Sequence, residues 1–128
     1  MNCWSYQQKT LNMVFPLVEK MTLLDHARTI LSSAELVYNQ HDYTSATILY
    51  FKVLFCALDA MLLRRTGKAP KDHTERFRLL ETIDPASYEL LDKYFPIYRD
   101  TYTTTIDKTT CERVRHDVKK IIAAQTEN

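Results

Sequence analysis

Arginines, tyrosines and four histidines are the residues of this chain whose types suit chemistry. A phosphate is held by an arginine fork, an ammonium group or the amide end of a helix, and a nucleobase stacks on an aromatic face. Arg99 lies among Tyr98 and Tyr102 at one-turn spacing, which joins a guanidinium to two ring faces and suits a base with its phosphate. The same spacing also fits a tyrosine stripe packed in a core, with Arg99 paired to a carboxylate of another helix. His73, Arg76 and Lys71 gather where a helix begins, and the positive pole of that helix adds to their attraction for anions. Arg99, Tyr102, Tyr98, His73, Arg76 and Lys71 are therefore the candidate contacts for a nucleotide or RNA. His73, just after a cap, equally fits a solvated first-turn residue. Arg64, Arg65, Lys68, Lys71, Arg76 and Arg78 form the densest basic cluster, opposed locally by Asp72 and Glu75. It reads as a phosphate-binding surface or as an ordinary charged rim.

Composition removes several function classes. A single glycine, Gly67, excludes both the phosphate-cradling glycine loop and the dinucleotide fingerprint, each of which needs several. Cys3, Cys56 and Cys111 are single and far apart, so neither a zinc site nor a disulfide framework is expected, and a reducing, cytoplasmic setting fits. His116 and Asp117 have no second ligand at helical spacing, so no metal is expected, and no cofactor is implied. A net charge of +1 does not mark a nucleic-acid binder by whole-molecule electrostatics, and any basic site must be local. With 128 residues, 45% of them hydrophobic, the chain suffices for one well-buried domain. Its first residues, MNCWSYQQKT, lack the charged start and apolar block of a secretion signal.

The elements that must position these groups are helices. Residues Ala46 to Leu63, ATILYFKVLFCALDAMLL, are apolar on nearly every side, with Lys52 and Asp59 the only charges, and this marks a central buried helix. A membrane span is the competing reading, but each mid-span charge costs about 2.5 to 3.5 kcal/mol on insertion scales, so no membrane is expected. Ser45, Lys52, Asp59 and Thr66 recur every seven residues as one polar stripe facing water, a subunit interface or a site. Lys52 and Asp59 are two turns apart, roughly 10 Å at 1.5 Å per residue, so each needs a partner from elsewhere.

Residues 1–16 are read as an N-terminal arm whose Trp4 and Tyr6 can dock, and residues 17–128 as the bundle. Pro16 suits a first-turn position, so helix one is expected from about Leu17 to Tyr38 and ends at the polar break Asn39 to Asp42. Helix two runs from about Tyr43, capped by Asp42, to Thr66, with Gly67 as a left-handed stop. Asp72 with Glu75 is a capping box for helix three, and Asp84 with Pro85 opens helix four. Pro96 should kink or divide helix four, and the threonine-rich run Thr101 to Thr110 should form a turn or frayed end. Helix five resumes near Lys108 with Cys111, Val114, Val118, Ile121 and Ile122 facing inward. The expected fold is all-α, an antiparallel up-and-down bundle of four to five helices.

The stretch YFKVLFCALDAMLLRRTGKAPKDHTERFRLLETI resembles the middle of a HEPN domain, a helical family named for higher eukaryotes and prokaryotes nucleotide binding. The likeness lies in the apolar helix with one lysine, the glycine-containing break, and the histidine opening a short third helix. YFPIYRDTYTTTIDKTTCERVRHDVKKII is similar to that family's fourth and fifth helices. The resemblance covers about Leu17 to Ala124. It implies a bundle that pairs as a homodimer, binds nucleotide or RNA, and acts with a partner such as a minimal nucleotidyltransferase in a toxin and antitoxin system. Catalytic members of the family cut RNA with an arginine followed, four to six residues on, by a histidine. Here that motif is absent: Arg65 is too far before His73, with Gly67 and Pro70 between, Arg99 meets no histidine until His116, and Arg113 and Arg115 are too close to it.

Three functions follow. The first is a noncatalytic HEPN-like binder of nucleotide or RNA. The second is a metal-independent ribonuclease in which folding brings Arg99 and His116 together. The third is a structural dimerisation module, which the near-neutral charge permits.

Overall fold

The computed structural model describes residues 22–126. The expected arm of residues 1–16, Trp4, Tyr6, Cys3 and the Pro16 start of helix one lie outside the described residues. Within them the protein is an all-α bundle of five helices and no strand, 84% helical. These are α1 (residues 22–39), α2 (Tyr43–Thr66), α3 (His73–Ile83), α4 (Pro85–Asp100) and α5 (Lys108–Thr126).

Capping explains where each begins and ends. Asp42 accepts from the Ser45 amide at 3.1 Å to open α2, and Gly67, at φ +77°, closes it with its amide donating to the Leu63 carbonyl at 2.8 Å. Asp72 accepts from the Glu75 amide at 2.9 Å to open α3, but Glu75 makes no return bond, so only half of the expected box forms. Asp84 stands between α3 and α4, where its carboxylate accepts from the Ser87 hydroxyl at 2.8 Å and Pro85 occupies the first turn. Of the kink or division expected at Pro96, the division does not occur, and α4 runs on across it. The threonine-rich segment forms a turn, with the Thr104 amide donating to the Asp100 carbonyl at 2.8 Å, before Asp107 accepts from the Thr110 amide at 2.7 Å as α5 begins.

Side-chain contacts give the helix directions. Tyr50 of α2 reaches Glu35 of α1, and Tyr38 lies edge-on to Tyr43, so α1 and α2 are antiparallel. Phe51 meets Tyr98, while Leu58 and Arg64 share a pocket with Asp84 and Ser87, so α4 is antiparallel to α2. The Ile106 amide donates to the Thr44 hydroxyl at 2.8 Å, and Gln125 donates to the Ala57 carbonyl at 2.8 Å, so α5 descends beside α2 in the same sense. The four long helices thus alternate up and down. Short α3 is the exception: Asp59 with Arg76 and Arg65 with the Ile83 carbonyl show it descending alongside α2 after the chain has doubled back.

Helix α2 is the axis of the core. Twelve of its residues are buried, among them Tyr50, Phe51, Leu54, Leu58 and Leu62. It is long and apolar enough to cross a membrane by length and composition, and 67% of its apolar window is buried inside the bundle. Ala27 and Ala34 of α1 and Cys111, Val114, Val118 and Ile122 of α5 join the same core. A polar hub ties three helices together at its edge. Glu35 of α1 takes Arg115 Nε and Lys119 Nζ, both at 2.9 Å, from α5 and the Tyr50 hydroxyl at 3.1 Å from α2. Burial raises the Glu35 carboxyl, but these donors outweigh it and hold the group below its ordinary 4.5.

Candidate functional site

The polar stripe of α2 opens onto a cleft of about 460 Å³ closed by α3 and by the end of α4. Ile48, Lys52, Phe55, Cys56 and Asp59 line it from α2, because steps of three and four residues keep them on one face. Arg76 enters from α3, and Tyr98, Thr101 and Tyr102 from the end of α4 and the turn after it.

An ion pair forms the floor. Arg76 Nε donates to Asp59 Oδ1 at 2.6 Å and Nη2 to Oδ2 at 2.8 Å, a two-bond fork between side chains only 9% and 14% exposed. Asp59 thus finds on α3 the partner that its place on an apolar helix requires. Arg76 Nη1 also lies 2.6 Å from His73 Nδ1. Since a guanidinium can only donate, Nδ1 is the acceptor, and His73 is the neutral imidazole carrying its proton on Nε2. Burial and the Arg76 charge together depress the His73 pKa below 6.5, in keeping with that form.

Aromatic rings hold this floor in place. The His73 ring packs edge-on to Phe55, Phe95 and Tyr98 at centroid distances of 4.7, 5.3 and 5.5 Å. Phe55 is perpendicular to Tyr98 at 5.0 Å, and the Arg76 guanidinium stands 4.9 Å over the Phe55 ring. Tyr98 and Tyr102 share a hydroxyl hydrogen bond of 2.8 Å. That bond, with burial, pushes the Tyr98 phenol up to about 12. Tyr102 is 74% exposed at the mouth. Lys52 is exposed there too and makes no ion pair among the described residues. Cys56 is a free, half-buried thiol whose pKa is raised by burial and then by Asp59.

The candidate residues divide between this cleft and the surface. Tyr98, Tyr102 and Arg76 line it, and His73 braces it from behind, so His73 is a packed residue and not a solvated first-turn one. The Arg76 fork is engaged by Asp59, which takes Arg76 out of the basic cluster. Arg99 is exposed, lies outside the cleft lining and makes no ion pair among the described residues. Lys71 is likewise exposed and outside the lining. Arg99 and His116 share no hydrogen bond and no pocket. His116 instead borders a groove of about 310 Å³ with Arg113, Asp117 and Tyr94, where the Tyr94 hydroxyl donates a short hydrogen bond to Asp117. Burial and Asp117 push the Tyr94 phenol up to about 12.

Ile48, Phe55, Cys56 and Thr101 are lining residues that the motif search passes over. The stripe of Lys52 and Asp59 is the signal that leads to the first three, since their positions flank it on the α2 face. Thr101 belongs to no periodic pattern, and its burial follows from the turn that ends α4.

Comparison with protein-family models, with curated proteins and with solved structures returns no match for this chain.

Proposed function

We propose that this protein is a noncatalytic, HEPN-like binder of nucleotide or RNA that works beside a partner protein such as a minimal nucleotidyltransferase. Its binding site in this reading is the cleft of Lys52, Asp59, Arg76, Tyr98 and Tyr102. The observation that carries the reading is the pairing, in one cleft of about 460 Å³, of aromatic walls with one ammonium group, that of Lys52, which makes no ion pair among the described residues. Ligand pockets are concave, mostly apolar and furnished with a few polar groups, and this cleft fits that description. The Phe55 and Tyr98 rings offer a wall for a flat base, and Lys52 at the rim offers a cation for a phosphate. The resemblance of residues 50–83 to the middle of a HEPN domain supplies the partner and the class of ligand.

Calorimetric titration of the intact chain with nucleoside monophosphates and a short single-stranded RNA tests the reading. Binding that weakens about ten- to a hundredfold in Lys52→Ala, and that falls as salt rises, supports it. Absence of binding at millimolar ligand removes it. Incubating labelled RNA with wild type and with His116→Ala, with and without a chelator, tests the ribonuclease alternative. Cleavage lost in His116→Ala would replace the noncatalytic reading.

A further inference from the structure

The pairing with Asp59 takes Arg76 out of the basic cluster without using up its donors. A guanidinium carries five N–H groups in one plane, one on Nε and two on each Nη. Asp59 accepts from Nε and from one N–H of Nη2, and His73 Nδ1 accepts from one N–H of Nη1. Two donors remain, one on each Nη, and no group among the described residues accepts from them. Because Nε and Nη2 face Asp59 side by side, the second N–H of Nη2 points away from that carboxylate, past the end of the side chain. The Arg76 side chain is only 9% exposed, and it lines the cleft. A charged donor so far removed from water is costly to leave without an acceptor, and a ligand that supplies one relieves that cost. Asp59 on α2 and His73 on α3 fix the guanidinium between two helices, so it meets such a ligand already in place.

We propose that Arg76 anchors a terminal phosphate on the floor of the cleft, through the N–H groups that Asp59 and His73 leave free, while Lys52 meets the same phosphate from the rim. The proposal rests on the nucleotide-binding reading and adds which residue receives the phosphate and which kind of phosphate it is. Charge favours an anion over a neutral acceptor. Arg76 and Lys52 contribute two positive charges and Asp59 removes one, so one positive charge is left unmatched in the cleft. Lys52 stands two turns before Asp59, about 10 Å along α2, a gap that its four-carbon stem and a phosphate span together. Since the second N–H of Nη2 points away from Asp59, a phosphate oxygen bonded to it lies on the far side of the guanidinium from the carboxylate. A phosphate that reaches this floor must enter end first, because α3 and the end of α4 close the cleft. A phosphomonoester at the end of a nucleotide or a strand can do so. A phosphodiester, which carries chain on two sides, cannot.

The test is titration of the intact chain with AMP, adenosine, the dinucleoside phosphate ApA, whose one phosphate is internal, and its 5′-phosphorylated form pApA. AMP and pApA should bind more tightly than adenosine and ApA by about tenfold or more, the value of a hydrogen bond to a charged group. In Lys52→Ala the advantage of AMP over adenosine should narrow and remain near tenfold, because Arg76 still holds the phosphate. Arg76→Lys keeps a cation opposite Asp59 and lacks the free N–H groups, so with helicity retained it should narrow the advantage likewise. The wild type gives a reading that needs no variant: the side-chain N–H resonances of Arg76 should move on adding AMP and stay in place with adenosine. An advantage that vanishes in Lys52→Ala alone, or Arg76 resonances that ignore AMP, would overturn the anchoring role and leave Lys52 as the phosphate contact. ApA binding as tightly as AMP would overturn the terminal phosphate. Adenosine equal to AMP in wild type would overturn phosphate anchoring and leave recognition of the base. No binding of any of the four would overturn this proposal together with the nucleotide-binding reading.

Discussion

Asp59 and Arg76 show how a charge is accommodated on a helix with almost no exposed face. Asp59 projects from the central helix at a level where α3 passes, and both of its oxygens are bonded by one guanidinium. Removing either partner leaves a buried charge unpaired, so Arg76→Ala should destabilise the fold by about 3 to 5 kcal/mol in urea unfolding. Lys52→Ala on the same stripe, exposed and without an ion-pair partner among the described residues, should change stability by no more than about 0.5 kcal/mol. Equal losses at the two positions would contradict the placement of this pair. Acid sensitivity follows from two depressed groups. His73 is held neutral below its ordinary 6.5 by burial and Arg76, and Glu35 is held ionised below its ordinary 4.5 by Lys119, Arg115 and Tyr50 against its own burial. In both cases the unfolded chain binds the proton first, so stability is full above the unfolded value and is lost as pH falls toward the folded one. The urea midpoint should begin to fall below pH 6.5 and fall again below pH 4.5. His73→Gln should flatten the first decline alone. That Asp59 needs a partner is legible in the sequence, since a carboxylate on an apolar helix two turns from Lys52 cannot be paired within it. Which residue answers is not legible, because that depends on where α3 lands. For the same reason Arg76 reads as a phosphate contact when only its neighbours in the chain are known.

At the scale of elements, caps and periodicity locate the helices closely. Asp42, Gly67, Asp72, Asp84 and Pro85 stand at the boundaries because each solves a local problem of unpaired amides or backbone rotation, and such problems are written in a few adjacent residues. Gly67 carries a positive φ with nothing within 4 Å of the place a Cβ would take. Gly67→Ala should therefore cost about 1 kcal/mol from backbone conformation and nothing from crowding. Leu54 and Leu58 are each 1% exposed on α2, and truncating either to alanine should cost about 2 to 5 kcal/mol. Losses under about 1 kcal/mol at both would mean that another helix forms the axis. Local reasoning leaves open whether Pro96 kinks or divides α4, and the helix is continuous. Proline removes one backbone bond, and the packing of Leu91, Tyr94, Phe95 and Tyr98 on both sides of it holds the helix together. The direction of α3 is equally hidden, since it depends on how the six residues from Gly67 to Asp72 lead the chain back along α2.

At the scale of the whole molecule, the apolar surplus of α2 is absorbed inside its own chain. It is tied to α5 at its start through Thr44 and in its second half through Ala57, and residues of α1, α3 and α4 join the core around it. A second copy is therefore not needed to bury this helix, and the homodimer that the HEPN resemblance implies must rest on other surface. Leu36, Ile48 and Tyr102 are the large apolar residues left exposed among the described ones. Ile48 and Tyr102, at 42% and 74%, both border the cleft. A two-fold contact through that face would cover both residues and bring two clefts together. Light scattering at micromolar concentration should then give twice 15.1 kDa. Tyr102→Glu, which places a charge at the centre of that contact, should shift the population to monomer while helicity stays near that of wild type. Dimer mass unchanged in Tyr102→Glu would move the interface to another face, with Leu36 on α1 the next to test. A strict monomer would end the pairing proposal.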